Sequence, residues 1–125
     1  MVARQSGFRL GNVVVPPGSR QIVELPFAGQ YTSAPVNLQV HVHNGRARGP
    51  VLLVSGAVHG DEINGVEIIR RLLHSRSLRG LKGTLLAVPI VNVLGFLNQS
   101  RYLPDRRDLN RSFPGSETGS LAGRL

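Results

Sequence analysis

The stretch Val58-His59-Gly60-Asp61-Glu62 sets an imidazole and a carboxylate three positions apart. From a turn or a first helical turn both side chains can face one point, and together they suit zinc, with bonds of ~2.0–2.2 Å. Gly60 lets the backbone turn sharply between them, and Asp61 is placed either to cap a helix or to hold His59 from behind the metal. By spacing alone the same residues also read as an ordinary helix start, with Asp61 as cap and Glu62 favoured by the helix dipole.

A second constellation runs from Arg101 to Arg111, where Arg101, Arg106, Arg107 and Arg111 stand with Asp105, Asp108 and Asn110. Asn110 and Arg111 put amide and guanidinium donors side by side, a good receptor for a carboxylate. A nearby arginine can polarise a carbonyl and steady the oxyanion formed on attack. The plain alternative is a solvated loop in which Asp105 and Asp108 pair with their neighbours. The remaining histidines read as bland: His41 and His43 as surface residues on the polar side of a strand, His74 as a cation suited to a helix C-terminus.

The elements that must position these residues follow from periodicity. Val13-Val14-Val15 stops at Pro16-Pro17-Gly18, a strong breaker. Val23, Leu25 and Phe27 share one side of a strand, and Asn37 to His43 alternates, with Leu38, Val40 and Val42 inward. Val51 to Val58 is a nearly continuous apolar run, as expected of a strand buried on both faces. Ile63, Val66, Ile69, Leu72 and Leu73 then recur at helical spacing up to His74-Ser75, and Thr84 to Val91 reads as a second buried strand. Two such strands joined by a helix make a βαβ unit with a parallel pairing. Asn92 to Gly115 is polar and rich in turns, and loops at the carboxyl ends of parallel strands usually carry function. A helical pattern opens at Leu121, so the chain reads as the front of something longer.

The chain has 125 residues, with 15 Lys or Arg against 7 Asp or Glu and a net charge of +8. The cations are scattered rather than gathered in runs, and the few aromatics offer no stacking platform, so no nucleic-acid partner is expected. No stretch approaches the ~20 apolar residues of a spanning helix, so no membrane partner is expected either. Without an apolar signal core near Met1, the expected location is the cytoplasm. Cysteine is absent, which removes disulfides and thiolate chemistry and leaves His, Asp and Glu as the metal ligands.

Taken together, Val58-His59-Gly60-Asp61-Glu62-Ile63-Asn64-Gly65-Val66, Pro89 with Asn92 and Gly95, and Arg101-Tyr102 through Asp108-Leu109-Asn110-Arg111-Ser112-Phe113-Pro114-Gly115 resemble the succinylglutamate desuccinylase/aspartoacylase family. These are deacylases related to the zinc carboxypeptidases. The resemblance is strong over residues 50–116 and weak in the strand-rich front. It implies an α/β fold with a mainly parallel central sheet and flanking helices, incomplete here. Residues 1–48 would form a strand-rich N-terminal segment and 49–125 the front part of the zinc-hydrolase domain.

The resemblance also implies roles. His59 and Glu62 match the first two zinc ligands, Asn110 and Arg111 the pair that binds a substrate carboxylate, and Arg101 the arginine that polarises the scissile carbonyl. Arg106 and Arg107 stay open for that last role, because spacing to the motif varies. The family's third zinc ligand, a histidine, and its general base, a glutamate, lie farther along than these 125 residues. His74 does not substitute: a dozen helical residues carry it ~18 Å away at 1.5 Å per residue.

The expected activity is therefore zinc-dependent cleavage of the amide bond of an N-acyl amino acid or similar carboxylate-bearing small molecule, in an enzyme that can be oligomeric. With two ligands, the 125-residue chain alone is expected to bind zinc weakly, turn over no substrate and expose apolar surface. The rival readings are a zinc carboxypeptidase acting on peptides, a nucleic-acid-binding module and a non-catalytic relative that keeps the fold as an interaction surface.

Overall fold

A computed structural model describes residues 3–27 and 36–125. Short strands β1 (Phe8–Leu10) and β2 (Val13–Val15) pair antiparallel. They are followed by β3 (Ser19–Phe27), β4 (Val36–Asn44), β5 (Ala47–Ser55), α1 (Asn64–Leu73) and β6 (Lys82–Val88). Short helices α2 (Val93–Leu97) and α3 (Leu121–Arg124) complete the chain, with 3-10 turns at Arg76–Gly80 and Leu109–Arg111.

The larger sheet has four strands in the order β3-β4-β6-β5. The predicted βαβ unit is present: β5 and β6 are parallel and α1 connects them. The other two pairings, β3 with β4 and β4 with β6, are antiparallel. Across the described strands the sheet is thus mixed rather than mainly parallel: the short Asn44-to-Arg46 connection reverses the chain between β4 and β5, and β6, parallel to β5, enters between them and so runs antiparallel to β4.

Both faces of the sheet are covered near its middle. Val23, Val40, Val42 and Val88 pack with Val15 of the small hairpin on one face, while Ile69 of α1 packs with Leu78, Leu85 and Ala87 on the other. This double cover corrects the surface reading of His43, which is buried at 8% exposure. Alternation correctly places Val40 and Val42 inward, but the opposite face of β4 lies beneath the end of α1. There His41, His43, Arg20 and His74 line a cavity of about 320 Å³. Burial holds the His43 pKa down, with the Arg20 charge assisting, and its Nδ1 has no hydrogen-bond partner among the described residues. The side chain of Phe27 lies outside the described residues.

The expectation for β5 is also corrected. Val51, Leu52 and Leu53 are 55%, 59% and 59% exposed. The run is as apolar as that of an interior strand, but β5 occupies the end of the strand order. Among the described residues, Arg4 bridges Ala47 at the start of this strand, and nothing pairs with the outer edge beside Val51 to Leu53.

Asn44 ties the N-terminal segment to this sheet from inside. Its amide donates to the Ser6 and Val15 carbonyls at 2.9 and 3.0 Å and accepts from the Thr84 hydroxyl at 2.9 Å. A buried amide with its hydrogen bonds made fixes the register of what it touches. Here it seats the small hairpin over β4 and the start of β6, at the end of the sheet opposite the carboxyl ends of β5 and β6, where the predicted chemistry lies.

Candidate active site

After β5 the chain crosses the buried Ala57, held at a φ of 49°, and turns through His59 to Glu62, where the Glu62 N–H donates to the His59 carbonyl at 3.1 Å. The turn lies against α2 and the segment after it. A Cβ placed on Gly60 would collide with the backbone of Gly95, Phe96 and Ser100, so glycine is required for close approach. The helix itself begins later than expected. Its N-cap is Ile63, with no side-chain cap bond, so Asp61 does not cap it.

His59 and Glu62 do converge. The imidazole is nearly buried at 8% exposure, with Nδ1 3.0 Å from Glu62 Oε2 and Nε2 2.8 Å from Asp108 Oδ1. Both ring nitrogens face carboxylate oxygens, an arrangement that favours the protonated ring. The bond to Glu62 is the main cause raising the His59 pKa, burial opposes it, and the bond to Asp108 adds to it. Glu62 is correspondingly held below its ordinary value, first by that bond and then by the nearby positive charges. For Asp108 burial works against ionisation, but the His59 bond and the Asn110 backbone N–H outweigh it and keep the carboxyl low.

Arg101 joins this cluster. Its guanidinium donates to Glu62 Oε1 at 3.0 Å and lies 3.9 Å from Asp108 Oδ2. Of the other two candidates, Arg107 lies 3.9 Å from Asp105, while Arg106 takes a positive φ of 62° in the turn between them. Arg101 is the one of the three that reaches Glu62. Asn110 and Arg111 stand exposed on the 3-10 turn that Asp108 caps, its side chain accepting from the Asn110 N–H at 3.0 Å. One carboxylate thus holds His59 with one bond and starts the Asn110-Arg111 turn with another.

Asp108 is the site residue that sequence reasoning missed. The sequence offers Asp108 only as a partner of its neighbours in a solvated loop, and offers Asp61 as either a helix cap or a brace for His59. The only signal available was its place directly before Leu109-Asn110-Arg111.

The donor set fits a zinc ion in part. An imidazole nitrogen and a carboxylate oxygen face each other, and the far nitrogen of the ring is tied to a second carboxylate, the usual bracing of a histidine ligand. Among the described residues no group of three or more His, Cys, Asp or Glu is arranged to hold a metal. What the described residues bring together is His59 and Glu62, with Asp108 behind the ring.

A family model described as the succinylglutamate desuccinylase/aspartoacylase catalytic domain matches residues 48–124, more than half of the chain. An N-alpha-acetyl-L-2,4-diaminobutyric acid deacetylase from Halomonas elongata is 33% identical over 81 residues, 64% of this chain and 24% of that protein. Among solved structures, a succinylglutamate desuccinylase/aspartoacylase from Rhodobacter sphaeroides superposes with a TM-score of 0.71 at 29% identity, covering 83% of this chain and 33% of its own. The ectoine utilization protein from Ruegeria pomeroyi, solved with product bound, gives 0.70 at 34% identity over 85% of this chain and 33% of its own. An aspartoacylase family protein from Mesorhizobium loti gives 0.67 at 32% identity over 98% and 37%. The chain spans about a third of the length of these solved relatives and shares their fold over that span.

Proposed function

The chain belongs to the succinylglutamate desuccinylase/aspartoacylase family, and on that premise we propose that it supplies the metal-binding part of a zinc-dependent hydrolase that cleaves the amide bond of an N-acyl amino acid or similar carboxylate-bearing amide. The observation that carries this reading is the convergence of His59, Glu62, Asp108 and Arg101 at the carboxyl end of β5. The names of the relatives, which refer to succinylglutamate and acetyl-diaminobutyric acid, support an acylated amino acid as the substrate class.

His59 and Glu62 would hold the zinc, with the third ligand coming from outside this chain. Bound zinc supplies a Lewis acid for the acyl carbonyl and lowers the pKa of its water. His59 would hold the metal through Nδ1, the nitrogen that faces Glu62, with that nitrogen unprotonated. Asp108 keeps the Nε2 proton in place meanwhile, fixing the tautomer and the ring plane. Arg101, which reaches Glu62 in this structure, would present its N–H groups to the carbonyl oxygen as negative charge develops there. Asn110 and Arg111 bind the substrate carboxylate and orient the amide, Arg111 offering a planar fork matched to two oxygens.

The test uses the protein carrying the whole catalytic domain, assayed with zinc on N-acetyl and N-succinyl amino acids and on dipeptides. Release of free amine from the acyl amino acids, lost in His59→Ala, is the expected result. Cleavage confined to the peptides would replace this reading with the carboxypeptidase one.

A further inference from the structure

Asn92 follows the end of β6 and is fully buried. Its backbone N–H donates to the Ala57 carbonyl at 3.0 Å, carrying the β5–β6 contact past the strand ends. Its side-chain Oδ1 accepts from the Gly95 N–H at 2.8 Å and so caps α2. Its Nδ2 donates to two other carbonyls, Val58 at 3.3 Å and Arg101 at 3.5 Å. Both bonds are long, but the amide is shut away from water, and an unpaired donor there would cost its full desolvation. The Val58 carbonyl belongs to the peptide that leads into His59. One side chain therefore grips the peptide before the ligand pair and the backbone of the arginine that reaches it.

The choice of residue type separates two tasks. A helix cap needs only an acceptor, which Ser, Thr or Asp provides equally well. A group that accepts once and also donates twice is an amide. The donor end of Asn92 is thus surplus to capping and is spent on the two site-bearing loops. Gly95 makes room for it, because a Cβ there would stand 2.7–2.8 Å from the Asn92 amide atoms. Arg101 itself is long and 42% exposed, so its approach to Glu62 depends on where its backbone is anchored, by Asn92 at its own carbonyl and by the Ser100 N–H on the Gly95 carbonyl at 2.8 Å.

We infer that Asn92 is a positioning residue that sets the distance between Arg101 and the His59–Glu62 pair by clamping the Val58 and Arg101 carbonyls together. As a role in catalysis this rests on the proposed function of Arg101; the clamp itself does not.

The test uses the 125-residue chain and nuclear magnetic resonance of the arginine side chains. In the wild type an Arg101 Nη1–H proton is expected to be resolved, slowed in solvent exchange, and in cross-relaxation with Glu62. Asn92→Ser keeps a cap for α2 but is too short to reach either carbonyl. Gly95→Ala leaves Asn92 in place and pushes its side chain from its seat, with alanine favoured in the helix. Both variants are expected to lose the Arg101–Glu62 cross-peak while amides of β4 and β6 stay protected. Retention of that cross-peak in either folded variant overturns the inference. So does unfolding of the sheet in both, which would make Asn92 a purely structural residue. Failure of the deacylase assay would leave these spectra unchanged, so the two ideas fall separately.

Discussion

His59 and Asp108, 49 positions apart, are joined by a 2.8 Å hydrogen bond between the imidazole Nε2 and the carboxylate Oδ1. The bond leaves Nδ1 as the nitrogen that faces Glu62. Braces of this kind typically contribute 10–100-fold to metal affinity. Asp108→Ala is therefore expected to weaken zinc binding by roughly 10–100-fold, and Asp108→Asn, which still accepts from Nε2, by less. Titration of zinc followed at the His59 ring signals checks this. Equal affinity in all three proteins would show that Asp108 acts only on its own loop.

Glu67 gives the clearest dependence on pH. Arg70 first, and then Arg71, bond to its carboxylate and lower its pKa from 4.5 to about 2. A depressed carboxylate stabilises the fold above its unfolded pKa, and the contribution is lost as pH falls through the folded value. Any stabilisation from this surface triad should thus be complete above about pH 4.5 and disappear toward pH 2. The Glu67 carboxyl carbon should titrate with a midpoint well below those of ordinary glutamates, and Arg70→Ala should move it upward. A midpoint near 4.5 in the wild type would contradict the pairing.

The packing at Gly60 predicts a contrast between two glycines. Gly60→Ala places a methyl group against the Gly95 and Ser100 backbone, whereas a Cβ at Gly80 meets nothing within 4 Å. Overpacking against backbone costs typically 1–3 kcal/mol, so Gly60→Ala should lower stability by about that amount in denaturant unfolding. Gly80→Ala should be neutral or slightly stabilising. Similar losses at both sites would mean that the loop and α2 are not in contact.

The open edge of β5 predicts self-association. Val51, Leu52 and Leu53 are exposed beside backbone groups that have no neighbouring strand among the described residues, and an unprotected apolar edge invites pairing with another chain. Light scattering of the isolated chain should rise with concentration, and Leu52→Lys should reduce it with little change in Tm. A chain that stays monomeric at high concentration would contradict this view of β5.

What could be read in the sequence depended on whether the cause was local. Helix α1, the parallel pairing of β5 with β6 and the inward set on β4 follow from spacing within one or two elements. His43 was misread because alternation reports one face, and the cover of the other comes from a helix some thirty residues on. The apolar run in β5 marks an interior type of strand, but its exposure depends on what pairs with its outer edge. At the site, His59 with Glu62 was legible as a pair three apart. Asp108 and Asn92 were not, because each acts through a contact that only the folded sheet brings about.

The central claim is that His59 and Glu62 are a metal-holding pair. It is tested most directly by titrating zinc into the 125-residue chain and observing the imidazole signals of all the histidines. Weak, saturable binding of one ion that moves His59 first, and is lost in His59→Ala and in Glu62→Ala, is the predicted result. Binding that survives His59→Ala, or that moves His41, His43 or His74 while His59 stays unchanged, would contradict the account.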